Sequence, residues 1–291
     1  MRLPEWIRTP QGGGLRSTKQ ILRRHGLSTV CEEARCPNRG TCFTKPTATF
    51  MILGSRCTRN CGFCSVESSC PDPLDLHEPE RVADAAAAMG LRYVVITSVT
   101  RDDLTDGGAG QFVRTIAAVK SRLRNAKVEV LVPDFRGDDR ALNVVLEARP
   151  DVFNHNMETV ARNYSTVRPQ ADYVRSLRVL RQASDRAPGI PVKSGFMLGL
   201  GETDEEVMTL LGDLRRSGCD FLTIGQYLRP TRKNLPVVEY IRPEAFADLG
   251  KRALAMGFRY VASGPLVRSS MHAEEMYLDR VGVNKATKED H

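Results

Sequence analysis

The sequence predicts an α/β fold, a partial (β/α)6, TIM-like barrel with N- and C-terminal extensions, on three observations. Seven short β-branched or apolar runs recur along the 291 residues. Amphipathic helical patterns alternate with them six times, which calls for a parallel sheet with right-handed crossovers. Six such units fall short of the eight that close a full barrel, so one side stays open. An open doubly wound sheet is the alternative, and both architectures place function at the carboxyl ends of the strands.

In order, the strand-like runs are ATFMILG (48–54), YVVITSV (93–99), KVEVLVP (127–133), DVFNHNM (151–157), PVKSGFML (191–198), FLTIGQYL (221–228) and YVASGPLV (260–267). The intervening helices are EPERVADAAAAMG, AGQFVRTIAAVKSRL, DRALNVVLEA, ADYVRSLRVLRQAS, DEEVMTLLGDLRRSG and PEAFADLGKRALAMG. The fifth of these has the clearest ends. Thr203 and Glu206 make a capping box, with Asp204 and Glu205 in the first turn. Arg215 and Arg216 occupy the last turn, and Gly218 is placed to stop it. The chain thus divides into an N-terminal extension (1–46), a barrel (47–267) and a C-terminal extension (268–291). The extensions are too short to read as separate domains, and the terminal KATKEDH reads as frayed.

Hydrophobic residues make up 41% of the chain, and no apolar run approaches the roughly 18 residues of a membrane span. MRLPEWIRTP lacks a secretory apolar stretch, so a cytoplasmic setting is expected. Lys and Arg number 42 against 35 Asp and Glu, a net charge of +7. That excess is compatible with nucleic acid and equally with an acidic protein partner, but the cations are scattered over helix faces rather than gathered in a run, which argues against nucleic acid.

Six of the eight cysteines fall between residues 31 and 64. Such clustering in a chain this long, without a secretion signal, reads as metal ligation rather than a disulfide framework. Cys31, Cys36 and Cys42 are spaced C-x4-C-x5-C. Cys57, Cys61 and Cys64, in CTRNCGFCSV, are spaced C-x3-C-x2-C directly after the first strand. Structural zinc fits poorly, because only Cys61 and Cys64 form a C-x2-C pair and His77 is the one nearby histidine. A plain ferredoxin would supply four cysteines per cluster. The remaining reading is two [4Fe–4S] clusters with three cysteines each, leaving one iron in each for a different ligand.

C-x3-C-x2-C after the first strand of a partial barrel, with aromatic Phe63 before the last cysteine, resembles the radical S-adenosylmethionine (SAM) superfamily. That resemblance implies that SAM chelates the open iron of the Cys57/Cys61/Cys64 cluster and is cleaved to a 5′-deoxyadenosyl radical. The first triad resembles that of the lipoyl synthase family. The likeness continues through PEWIR, VCEEARCPN, TSVTRDDLTDGGA (97–109), VFNHNMETV (152–160), KSGFMLGLGET (193–203), LTIGQYLRPT (222–231) and SGPLVRSSMHAEE (263–275). It implies insertion of two sulfur atoms at C6 and C8 of an octanoyl-lysine, with the first-triad cluster as sulfur source. It also implies a serine as fourth ligand of that cluster, from an Arg-Ser-Ser-Tyr motif. Here the motif is Arg268-Ser269-Ser270-Met271, which makes Ser270 the expected ligand and Ser269 the second choice. Without the resemblance, RSSM would read as a helix N-cap. The implied partners are an octanoylated lipoyl carrier domain (a 2-oxoacid dehydrogenase E2 or the glycine cleavage H protein), a flavodoxin or ferredoxin reductant, and an iron–sulfur carrier protein.

Other positions follow. The resemblance makes Thr97 and Ser98 candidates for the methionyl end of SAM. Asn156 and Glu158, polar residues ending the fourth strand, are candidates for its ribose, with a buried satisfied network as the alternative. Arg101 and Asp102 read alternatively as a structural ion pair, and His155 as a buried structural residue. LGLGET lacks the lysine of a phosphate loop, so its glycines read as a tight turn near cofactor. Cys70 and Cys219 have no spaced companions and read as incidental thiols; Trp6 reads as a packing anchor.

Overall fold

The structure is a computed structural model that describes residues 3–7, 15–38, 49–271 and 273–280. Cys42 and the KATKEDH tail lie outside the described residues. In chain order the strands are β1 (Ser28–Thr29), β2 (Thr49–Ile52), β3 (Arg56–Cys57), β4 (Glu67–Ser68), β5 (Tyr93–Ser98), β6 (Lys127–Leu131), β7 (Val152–Asn154), β8 (Val192–Leu198), β9 (Phe221–Gln226) and β10 (Tyr260–Gly264). β2 and β5 to β10 pair in succession, all parallel, and β1 joins β2 antiparallel at one edge. The opposite edges do not pair among the described residues. The seven expected strands are therefore the seven parallel strands of an open barrel. The alternative doubly wound order does not occur.

Six helices return the chain between these strands: Glu78–Ala88, Ala109–Arg122, Asp139–Glu147, Tyr173–Arg186, Asp204–Arg216 and Pro243–Ala255. Each buries one apolar stripe against the sheet, for example Val207, Leu210, Leu211 and Leu214 of the fifth. Phe50, Ile52, Val94, Ile96, Val128, Val130 and Ile224 are fully buried in the strands beneath.

Two strands end earlier than their apolar runs. β7 stops at Asn154 because Arg168, buried, donates to the carbonyls of Asn156 (2.9 Å) and Met157 (3.3 Å). The chain then turns through Glu158 at a φ of 66°, a left-handed conformation uncommon for a non-glycine residue. β10 stops at Gly264 because Pro265 has no N–H for the ladder, and Val267 N–H closes a turn on Gly264 O at 3.1 Å.

The capping box forms as expected. Thr203 Oγ1 accepts from Glu206 N–H (3.3 Å) and Glu206 accepts from Thr203 N–H (2.9 Å). Thr203→Ala should lower stability by about 1 kcal/mol, read from equilibrium urea unfolding. Arg162 and the capping amide hold the Glu206 carboxyl down at about 2 against its ordinary 4.5. A carboxyl depressed in the folded state stabilises above its unfolded value. The Glu206 contribution should therefore be complete above pH 4.5 and fade as pH falls toward 2.

Both extensions join the barrel. The N-terminal one supplies β1. The C-terminal helix Ala273–Arg280 lies at the amino-terminal ends of the strands. There Tyr277 packs on Tyr93 (ring centroids 6.1 Å apart) and Met276 is buried with Val152 and Phe221. Among the described residues no helix is long and apolar enough to cross a membrane.

Candidate active site

β2 ends in a turn in which Leu53 and Gly54 both have positive φ. The turn is held by Glu78, whose carboxylate accepts Leu53 N–H (2.8 Å) and Gly54 N–H (3.4 Å). The cysteine loop begins two residues later. Its base is closed by β3 and β4, with Arg56 opposite Glu67 and Cys57 opposite Ser68. Cys57 Sγ accepts N–H bonds from Arg59 (3.4 Å) and Thr100 (3.3 Å).

The loop is clamped on three sides. Arg59, buried, donates to Asp102 (2.7 and 2.9 Å) and to the fully buried Asp134 (2.6 Å). Gly62 N–H donates to Val167 O, and Gly62 O accepts from Leu235 N–H, both at 2.9 Å. A Cβ at Gly62 would sit 2.8 Å from the Leu235 side chain, which would have to move to admit any larger residue. Asn234 Nδ2 donates to Cys64 O at 2.7 Å, laying the segment after β9 across the loop. Ser65 Oγ donates to Glu33 O, which fastens the loop to the N-terminal cysteine segment.

A cavity of about 690 Å³ opens at this end of the barrel. Cys64, Phe63 and Ser65 line it from the loop, Cys31 and Cys36 from the N-terminal segment, and Ser269 and Ser270 from beyond β10. Asn154, Asn156 and Glu158 line it from the end of β7. Cys57 and Cys61 are half-buried in the loop beside it and do not line it. None of Cys31, Cys36, Cys57, Cys61 and Cys64 is in a disulfide.

The two termini meet at this cavity. Asn38 Nδ2 donates to Leu266 O at 2.6 Å and contacts Met271 Sδ at 3.7 Å. The segment after β10 presses on Gly225, where a Cβ would lie 2.3 Å from Val267 O. Ser269 Oγ accepts from Asn154 Nδ2 and donates to Asn156 Oδ1, both at 3.0 Å. Asn154 also donates to Glu129 (3.0 Å), which is bonded to Tyr93 (2.8 Å) and Lys193 (2.9 and 3.2 Å) inside the barrel. Ser270 lines the cavity and its hydroxyl makes no hydrogen bond among the described residues.

Burial pushes the Cys61 thiol up, and the Cys64 thiol up to about 12. Buried thiols ligate only as thiolates, so this site suits a strongly cationic occupant that offsets the burial. Among the described residues no three His, Cys, Asp or Glu side chains converge enough to share one metal ion. A cubane cluster takes each thiolate on a different iron and needs no such convergence. The donor set on this loop, three unpaired cysteines with backbone N–H bonds aimed at sulfur, fits an iron–sulfur cluster.

Other expected positions fall as follows. Thr97 Oγ1 donates to Leu131 O at 2.8 Å, and neither Thr97 nor Ser98 lines the cavity. Ser98 Oγ is buried without a hydrogen-bond partner. Asn156 Nδ2 donates to Glu158 at 3.0 Å, and burial raises the Glu158 carboxyl above its ordinary value. His155 is buried, bonded through Nδ1 to Val132 O (2.9 Å), and lowered to about 4 by burial. The Arg101–Asp102 pair does not form: Arg101 binds Asp103 (2.8 Å), and Asp102 serves Arg59 instead. Side chains in register on neighbouring loops compete better than the next residue along. Cys219 is buried and Cys70 exposed.

Several residues of the site were not anticipated. Arg59 stands inside the quoted cysteine motif, and Asn38 inside VCEEARCPN. Glu129 and Lys193 are lone charges in apolar strands, a pattern that signals a buried pair.

A model of the radical SAM superfamily matches residues 51–214. A lipoyl synthase of Rubrobacter xylanophilus is 57% identical over 278 residues, covering 95% of this chain and 87% of the relative. A lipoyl synthase of Caldanaerobacter subterraneus is 54% identical over 275 residues, covering 94% and 96%. Among solved structures, methylornithine synthase superposes with a TM-score of 0.54 over 73% of this chain and 69% of its own. At 14% identity that likeness speaks for the fold alone.

Proposed function

The chain belongs to the lipoyl synthase family of radical SAM enzymes, and from that premise we propose that it inserts sulfur at C6 and C8 of an octanoyl chain carried on a lysine of a lipoyl carrier domain. The family uses SAM and [4Fe–4S] clusters. When bound, they supply a 5′-deoxyadenosyl radical that takes hydrogen from unactivated C–H bonds, and the sulfur itself.

One observation supports this reading above the rest. A single cavity is lined by Cys64, by Cys31 and Cys36, and by Ser269 and Ser270, segments that lie far apart in sequence. Its volume of about 690 Å³ falls within the roughly 300–1,000 Å³ of small-molecule sites. Leu131, Phe196, Met197, Leu228 and Val237 give it apolar walls for an alkyl chain.

In this reading Cys57, Cys61 and Cys64 hold the SAM-binding cluster. Phe63, Asn156 and Glu158, which line the cavity, face SAM, while Thr97 steadies the site by fixing the end of β6 and Ser98 lies outside the lining. Cys31 and Cys36, with Cys42, hold the second cluster, and Ser270 completes it. The segments 30–37 and 267–270 are then working walls of the site, and the bond from Asn38 to Leu266 joins them. Clustered thiols stay reduced in the cytosol, so a cytoplasmic setting, a flavodoxin or ferredoxin reductant and an iron–sulfur carrier protein belong to the same reading.

Anaerobically reconstituted protein should contain about eight irons per chain, as two [4Fe–4S] clusters require. Given SAM, dithionite and an octanoyl-lysine peptide, it should return a peptide that has gained two sulfur atoms, by mass spectrometry. Formation of 5′-deoxyadenosine without sulfur on the peptide would refute the proposed reaction.

A further inference from the structure

We propose that the rim of this cavity is a docking face for a folded, acidic protein domain that presents the acylated lysine. The inference rests on the reaction proposed above and names the face its protein substrate uses. Two features of the rim point to a protein rather than to the acyl chain alone.

The first is positive charge with no carboxylate to offset it, although the Arg229 guanidinium does donate to the carbonyls of Asn234 (2.8 Å) and Arg232. Arg35 and Arg229 line the cavity and are exposed, and Arg232 and Lys233 are exposed on the segment between the lining residues Pro230 and Pro236. None of the four meets a carboxylate among the described residues. Elsewhere on the surface some arginines are neutralised, Arg81 by Asp75, Arg162 by Glu206 and Arg252 by Asp204, all within 2.7 Å. Others, such as Arg124, Arg140 and Arg181, stand singly among the described residues; what sets the rim apart is four such cations gathered at one cavity mouth. An octanoyl amide carries no charge, so it gives these cations nothing to bind. The protein surface around the acylated lysine does.

The second is exposed apolar surface. Three of the seven large apolar side chains exposed among the described residues stand at this rim: Leu3 (53%), Trp6 (38%) and Val238 (58%). Leu3 lines the cavity, Val238 follows the lining residue Val237, and Trp6 lies 5.7 Å beneath the Arg242 guanidinium. A tryptophan backed by arginine at the edge of a concave site is a typical interface anchor. The basic segment is also held in place beforehand. Tyr227 Oη donates to Leu235 O (2.8 Å), and Thr231 Oγ1 to Asn234 Oδ1 (2.7 Å), so docking there orders little chain.

The test compares two substrates on the reconstituted enzyme: an octanoylated lipoyl domain of acidic surface, and a short neutral octanoyl-lysine peptide. Arg232→Glu combined with Lys233→Glu should raise KM for the domain about tenfold with kcat held, and the effect should shrink as salt rises. Kinetics on the peptide should not change. Trp6→Ala should raise KM for the domain by a similar factor. An equal change on both substrates, or none on the domain, overturns the docking face. Tighter binding of single-stranded RNA than of the domain, measured by fluorescence anisotropy, overturns it too. If unmodified enzyme adds sulfur to neither substrate, the proposed reaction itself falls.

Discussion

Ser270→Ala should leave cleavage of SAM intact and take sulfur transfer below detection, while Ser269→Ala should cost about 10–100-fold in product. The two hydroxyls are adjacent but differently committed. Ser269 Oγ is already engaged, accepting from Asn154 and giving its proton to Asn156 at 3.0 Å each. It fixes the segment after β10 against the barrel and has no lone role left at the cavity. Ser270 lines that cavity and makes no hydrogen bond among the described residues, which is why the proposed reading assigns its oxygen, not that of Ser269, to iron. An alkoxide is a harder and less natural ligand for iron than a thiolate, and so is easily surrendered by a cluster that must give up sulfur. Ser269→Thr keeps the hydroxyl and should restore most of the product. Mössbauer spectra of the second cluster, isolated by replacing Cys57, Cys61 and Cys64 with alanine, separate the roles. Loss of the distinct iron site in Ser270→Ala is expected. Its loss in Ser269→Ala alone would make Ser269 the ligand, and no loss in either would remove serine from the cluster.

The barrel was legible in the sequence because each of its strands is an apolar, β-branched run bounded by polar or glycine-rich segments. Buried parallel strands leave that signature whatever they support. The capping box at Thr203 was legible because both of its bonds are local. What stayed hidden was set by partners distant in sequence. β7 reads as seven residues and pairs over three, because Arg168, fourteen residues past its end, takes the carbonyls that would have continued it. Arg101 reads as the partner of Asp102, yet Arg59 from the cysteine loop takes that carboxylate and also Asp134. The segment after β9 showed no motif that ties it to the cysteines, although Asn234 and Leu235 both bond to the cysteine loop. Motif spacing named the cysteines, whereas the residues that hold them in place come from four other loops.

Lys193→Met should destabilise the protein by about 3–5 kcal/mol, the largest loss expected from any one side chain outside the cysteines. The Lys193 and Glu129 side chains are 0% and 1% exposed and are 2.9 Å apart at their charged ends. Removing the ammonium leaves a carboxylate in the barrel interior with only the Tyr93 hydroxyl and Asn154 amide for company. The cost is the stranded charge, not the lost attraction. Adding Glu129→Gln to Lys193→Met should therefore recover most of the stability, because the amide oxygen takes the Oε1 place and still accepts from Asn154, while the NH2 at the Oε2 place donates to the Tyr93 hydroxyl, which turns to accept. Equilibrium urea unfolding of the two variants measures this directly; equal midpoints would mean that burial of the charge is not what the pair controls. The same comparison reaches the active site, since Asn154 links Glu129 to Ser269. In the double variant that link persists through the amide, so its product yield should stay closer to the unmodified enzyme than that of Ser269→Ala. The ion pair inside the barrel and the serine at its mouth belong to one hydrogen-bonded column, and stability and sulfur transfer should respond to it separately.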